Sequence, residues 1–190
     1  MTTPEDVLSF WLDELTREDW FSGDEDLDAT IKERFEPAWN AMMDGTNGLW
    51  LTYPSGTLAY IILADQFPRQ MFRGSARSFA SDPQALAAAK AAIDKGWDMR
   101  IDEPARHFFY LPLSHSENLC DQDRAVRLVL TRMPEGGADL LLHAKAHRNI
   151  IREFGRFPFR NEALDRTSLP GEMAFVQNGG YGAVVEALRA

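Results

Sequence analysis

Between Phe108 and Gln122 the chain reads FFYLPLSHSENLCDQ, an aromatic run set directly against His115, Glu117, Asn118, Asp121 and Gln122. These side chains are of the kinds that move protons: an imidazole titrates near neutral pH, and a neighbouring carboxylate fixes its tautomer. Pro112 should end the aromatic helix, and Ser114-His115-Ser116-Glu117 then fits a capping box, with Ser114 accepting from a first-turn amide and Glu117 reaching back. His115 would stand at the first helical position, where the positive end of the helix dipole favours the neutral ring. Glu117, Asp121 and Arg124 follow at i, i+4 and i+7 on one side of that helix, with Asn118 and Gln122 in the adjacent row. A solvated helix face has the same pattern. Cys120, with no base visible beside it, reads as a small packed side chain rather than a nucleophile.

His143 and His147 are i, i+4, the separation at which two imidazoles on one helix share a metal. Ala144 and Lys145 replace the glutamate and its neighbour of H-E-x-x-H, so the expectation is a site without metal or other cofactor. Asp65, Gln66, Arg69 and Arg73 follow the apolar segment LAYIILA, and Arg148, Arg152, Arg156 and Arg160 follow His147. Charges at the ends of buried helices must reach solvent or pair, because an isolated buried charge is heavily penalised. Where guanidinium groups outnumber the local carboxylates, the surplus can hold the carboxylate or phosphate of a ligand.

Other chemistries lack their motifs. G-x-S-x-G, Walker A, G-x-G-x-x-G and paired C-x-x-C are all missing from the sequence. The net charge is −9, and residues 1–50 hold 13 acids against 3 bases, with no run of Lys or Arg anywhere. A basic stripe is what nucleic acid or a membrane surface needs, so neither is expected as a partner. Of the 20 basic residues 16 are Arg, a bias that genomic base composition produces as readily as guanidinium chemistry does. A single cysteine, no basic-then-apolar leader and no apolar stretch of spanning length predict a soluble cytoplasmic protein.

The elements that must position these groups are helices. Thr3-Pro4-Glu5-Asp6 opens one, with Val7, Leu8, Trp11 and Leu15 on its apolar face. A second follows SGDED, with Leu27, Ile31, Phe35 and Trp39 or Met42 as its stripe, Pro37 as a kink and Asp44-Gly45 as its end. Leu58 to Ala64 is apolar on every side and should be the core helix. SDPQALAAAKAAIDKG has Ser81 or Asp82 as cap, Pro83 at the first position and Gly96 just past the end. Further helices are expected over about 103–111, 114–133, 139–154 and 170–177, with a short one after NGGYG, which reads as a helix end and a flexible connector. FPRQMFR and FPFRN each place Phe-Pro and arginines just past a predicted helix. The 190 residues suit one compact domain, or at most two small ones; the expectation is a single all-α domain of eight or nine short antiparallel helices packed as hairpins.

ILADQFPRQMFRGSARSFASD, FFYLPLSHSENLCDQ and HRNIIREFGRFPFRN, with TSLPGE after them, resemble the bacterial family known as domain of unknown function 924. The resemblance implies an all-helical fold similar to tetratricopeptide helix hairpins, and implies no reaction. Phe159 stands where FPHRN would be expected, so no role for a histidine at that place applies to this chain.

The leading functional expectation is a pocket binding a small or peptide-like anion through Asp65, Gln66, Arg69, Arg73, Gln122, Arg148, Arg156 and Arg160, with His115, Glu117, Asp121 and His147 as its reactive groups. The enzyme reading is a hydrolase or lyase with His115 or His147 as general base, Glu117 or Asp121 orienting it and an arginine at the oxyanion. The third reading is a helical scaffold that holds protein segments along a groove.

Overall fold

The computed structural model describes all 190 residues, which form helices, short turns and no strands. They cluster into two compact units, Met1–Pro112 and Leu113–Ala190.

In the first unit, α1 (Pro4–Leu8) starts on a capping box between Thr3 and Asp6 and runs into a wide π-type turn, Ser9–Glu14. Val7 and Trp11 are fully buried by this pairing of turns. Helix α2 (Glu25–Met43) is capped by the Asp24 carboxylate and carries Pro37 inside it, while Ile31, Phe35, Trp39 and Met42 form its buried stripe. Helix α3 (Pro54–Ile61) is the core helix expected from LAYIILA: every residue from Gly56 to Ile61 is buried. Removing Leu58, Ile61 and Ile62 from water is worth about 1.5–3 kcal/mol for each side chain.

The helical run does not stop at Ala64. It passes through a second π-type turn, Ile62–Gln66, into α4 (Phe67–Met71), so Phe67-Pro68 lies within the run rather than past its end. Helix α5 (Asp82–Asp94) has Ser81 at its cap and Pro83 in its second position, and ends ahead of Gly96 at φ +69°. The Ser81 hydroxyl does not cap; it donates to the Ala64 carbonyl and accepts from Trp39 Nε1 at 2.9 Å, tying three helices together. The aromatic run that was expected as a helix over 103–111 is a tight 3-10 segment, Ala105–Phe109.

Helix α6 (Leu111–His115) crosses the boundary between the units. In the second unit, α7 (Leu119–Arg132) and α8 (Gly137–Phe154) form a hairpin around Ala125, Val126, Val129, Ala144 and Ala146. Gly155 at φ +71° ends α8 with a left-handed residue. Helix α9 (Pro170–Gln177) starts where the sequence predicts, and α10 (Gly180–Arg189) packs across α8. Ile150, Ile151 and Phe157 make the small core there, with Phe154, Phe175, Tyr181 and Val184 packed on it. No helix of the chain is long and apolar enough to cross a membrane.

Candidate functional site

The capping box expected at Ser114–Glu117 is not formed. Pro112 sits inside α6, so α6 ends at His115 and a new helix starts only at Leu119, with Asn118 accepting from the Cys120 amide at 2.9 Å. His115 therefore lies at a helix C-terminus, opposite to its expected place. Glu117 points elsewhere: it accepts both arms of Arg166 at 2.7 and 3.0 Å and the Phe157 amide at 2.8 Å. Burial opposes its charge, and the Arg166 fork and the Phe157 amide outweigh it, so its pKa lies below the usual carboxylate range. Asp121 accepts from the Ser116 hydroxyl at 2.8 Å, and the buried Gln122 amide donates to the Ser114 and Ser116 carbonyls, each at 2.7 Å. These three polar residues hold the α6–α7 junction. Cys120 is exposed, not packed as expected.

The arginines named from sequence are mostly ion-paired within their own units. Asp65 is 0% exposed; it accepts from Gln66 and pairs with Arg69 at 3.3 Å, while Arg69 also reaches Asp82 at 2.9 Å. Burial works against the Arg69 charge, and the two carboxylates more than offset it, raising its pKa. Arg73 turns away from this group and forks onto Asp28 at 2.8 and 2.9 Å. Arg156 forks onto Glu172 at 2.6 and 2.7 Å, and Glu172 also accepts from the Leu169 amide at 2.7 Å and from Asn161 at 3.2 Å. Those contacts, the Arg156 hydrogen bonds foremost, lower its pKa to about 2. Asp65, Gln66, Arg69, Arg73 and Arg156 thus have structural partners.

What the second unit does bring together is rings. His115 from α6 and His147 from α8 stand with ring centres 6.0 Å apart and planes at 90°. Tyr181, the first aromatic residue of α10, packs 4.8 Å from His147, and Phe157 is 5.5 Å from it on another side. Phe159 lies 5.3 Å from Phe157 and 6.2 Å from Tyr181. His143 completes the row through a short hydrogen bond between Nδ1 and the Tyr181 hydroxyl, with Nε2 facing Asp139 at 3.6 Å. Burial raises the Tyr181 pKa, and the Asp139 charge adds to the rise. The phenol therefore keeps its proton, and with Nε2 turned to the Asp139 carboxylate, Nδ1 is the nitrogen placed to accept it. Both His143 nitrogens being engaged within the chain, the i, i+4 pair does not converge as metal ligands do, and no group of three or more His, Cys, Asp or Glu side chains could hold an ion.

Positive charge borders the rings. Arg148, one residue beyond His147, shares Asp123 with Arg152, at 3.6 and 3.0 Å, two guanidinium groups to one carboxylate. Its Nε is buried without a hydrogen bond. Arg160 lies with its guanidinium 4.5 Å from the centre of the Phe157 ring and adds its field to that of Arg166 on Glu117. His115, His147, Arg148 and Arg160 are thus the sequence-named residues associated with one surface. Tyr181 and Phe157 were missed. Tyr181 was hidden inside NGGYG, where the glycines drew the reading toward a connector; a lone phenol opening a helix was the available signal. Gly179 and Gly180, both at positive φ, instead form the tight corner that delivers Tyr181.

Beside this cluster, α8, α9 and α10 enclose a cleft of about 550 Å³, lined by Ile150, Phe154, Phe175 and Val184 with Asn149 and Glu153 among its polar groups.

A family model described as bacterial protein of unknown function (DUF924) matches residues 7–180. Among solved structures, the chain is similar to one described as a protein of unknown function, ATU0120, from Agrobacterium tumefaciens. The identity is 39%, with a TM-score of 0.85 over 93% of this chain and 97% of that one. No curated protein matches the chain.

Proposed function

The chain belongs to the bacterial DUF924 family, a membership that carries no activity with it, and on the site geometry we propose that its C-terminal unit binds a small anion at the ring cluster of His115, His147 and Tyr181. The observation that supports the reading is the meeting of two imidazoles from different helices, 6.0 Å apart, with the Tyr181 ring 4.8 Å from one of them, His147. An imidazole N–H can donate a hydrogen bond to an oxyanion. The excess of guanidinium over carboxylate at Asp123 biases the surroundings toward negative ligands. Used on a reactive ligand, the same pair of imidazoles has the composition of a general acid and base, as a hydrolase or lyase requires.

A scaffold of tetratricopeptide kind is the second reading, favoured by the apolar cleft between α8, α9 and α10. Thermal-shift titration separates the two. Acetate or phosphate should raise the melting temperature along a saturating curve, and His115→Ala and His147→Ala should abolish the rise while Lys145→Ala keeps it. Arg156→Ala should lower the melting temperature of the free protein and leave the ligand-induced increment in place. No saturable rise with either anion in the wild-type protein would refute the anion site.

A further inference from the structure

We infer that the first unit holds a site of its own, independent of the anion reading above: a cavity on α5 that takes a small uncharged molecule with an apolar body and one carbonyl or hydroxyl oxygen. The cavity encloses about 310 Å³, at the lower end of the roughly 300–1,000 Å³ usual for small-molecule sites. Its floor is one face of α5, where Ala87, Ala88, Ala91 and Ala92 stop at the β-carbon and leave space that longer side chains would fill. Leu51, from the 3-10 turn Gly48–Thr52, and Trp97, just past α5, supply apolar walls, and α3 lines the remaining side with Thr57 and Tyr60.

Space beside alanines is not in itself a site; Tyr60 makes it one. Its side chain is only 8% exposed, and its hydroxyl makes no hydrogen bond within the chain. A buried hydroxyl without a partner is costly, and native folds rarely leave one so. The oxygen is not sealed in the core as Trp11 Nε1 is, and it opens onto the cavity that Tyr60 lines. The other oxygens there are taken or out of reach: the Thr57 hydroxyl donates to the Trp50 carbonyl at 3.3 Å, and the Gln84 carbonyl oxygen is fully enclosed. A ligand oxygen is what completes Tyr60, as acceptor from the phenol if a carbonyl and as either partner if a hydroxyl. The surroundings set the ligand's charge at zero. Loss of water alone raises the Tyr60 pKa, and the same loss opposes a carboxylate beside it. The unit's 19 acids against 10 bases repel anions in general. Lys95, whose ammonium rests 4.2 Å from the centre of the Trp97 ring, opposes a cation at the rim.

Titration of the whole protein with acetophenone, ethylbenzene and benzoate tests this, because the three share a ring and differ in carrying a neutral oxygen, none, or a charge. The reporter is the Trp97 indole N–H resonance, assigned with Trp97→Phe, which reads this cavity whatever binds elsewhere. Acetophenone should shift it along a saturating curve, about fivefold tighter than ethylbenzene and at least tenfold tighter than benzoate. Tyr60→Phe keeps the ring and removes the hydroxyl; it should bring acetophenone down to the affinity of ethylbenzene and leave ethylbenzene unchanged. Ala91→Leu, at an exposed position of the floor, should fill the cavity and abolish the Trp97 response to all three while the rest of the spectrum stays folded. No saturable Trp97 shift with acetophenone, or one indifferent to Ala91→Leu, overturns the site. Acetophenone affinity unchanged by Tyr60→Phe overturns the role of the hydroxyl, and benzoate binding tighter than acetophenone at Trp97 overturns the neutral ligand in favour of an anion held by Lys95.

Discussion

Glu172 and His107 carry opposite charges when ionised, yet both should weaken the fold as the solution turns acidic. Glu172 is 2% exposed and its pKa is lowered to about 2 by Arg156 and its other donors. A group whose folded pKa lies below its unfolded value, about 4.3 for glutamate, stabilises at higher pH. Its contribution is complete above pH 5 and is lost as pH falls toward 2. His107 is 3% exposed among Trp20, Phe21 and Phe108, and burial drives its pKa down to about 4 against the pull of the Pro104 carbonyl that its Nδ1 meets at 2.6 Å. The folded state holds the neutral ring, so the unfolded chain binds a proton first, between about pH 6.5 and 4, and stability falls by about 3 kcal/mol over that window. Chemical denaturation at successive pH values should show two separable acid losses. His107→Phe should flatten the upper one, and Glu172→Gln the lower one.

At the scale of the helix, α7 and α8 expose what the sequence could and could not announce. Asn118→Ala removes the cap of α7 and should cost about 1 kcal/mol in urea unfolding, whereas Ser114→Ala should not act through that cap. Gly155→Ala forces a β-carbon into left-handed backbone and should cost about 1–2 kcal/mol by the same measurement. The starts of α1 and α9 were legible because their signals are local, Thr3 with Pro4 and Pro170, while α2 begins inside SGDED rather than after it, capped by Asp24. The buried character of Leu58–Ala64 was legible because the stretch carries no charged side chain and is apolar on every side. The junction at Pro112–Asn118 was not. A proline is as acceptable in the first turn of a helix as after its end, so Pro112 could not say which helix it served. Glu117 had a local partner on paper and took a distant one, Arg166, 49 residues away.

At the scale of the molecule, the sequence named the reactive groups and could not say which of them meet. Arg73 and Arg156 were read as ligand donors because their counter-ions Asp28 and Glu172 lie 45 and 16 residues away, beyond any helical spacing, whereas Arg69 has Asp65 four residues before it as well as Asp82. His115 and His147 were each recognisable as proton carriers, but their meeting with one another, and that of His147 with Tyr181 where α10 packs on α8, are tertiary events with no periodicity to betray them. Charge follows the same division. Residues 1–112 hold 19 acids and 10 bases, while residues 113–190 hold 10 of each, so the whole net charge of −9 belongs to the first unit. The neutral second unit is the one suited to an anion, and an anion present at ten times its dissociation constant should stabilise the protein by about 1.4 kcal/mol.

The most direct measurement follows the imidazole resonances of the four histidines by NMR during titration with benzoate at constant pH and ionic strength. The account predicts that His115 and His147 shift together along one saturating curve, that His143 follows through Tyr181, and that buried His107 stays still. Shifts that are linear in concentration, or that move His107 as much as His147, would contradict it.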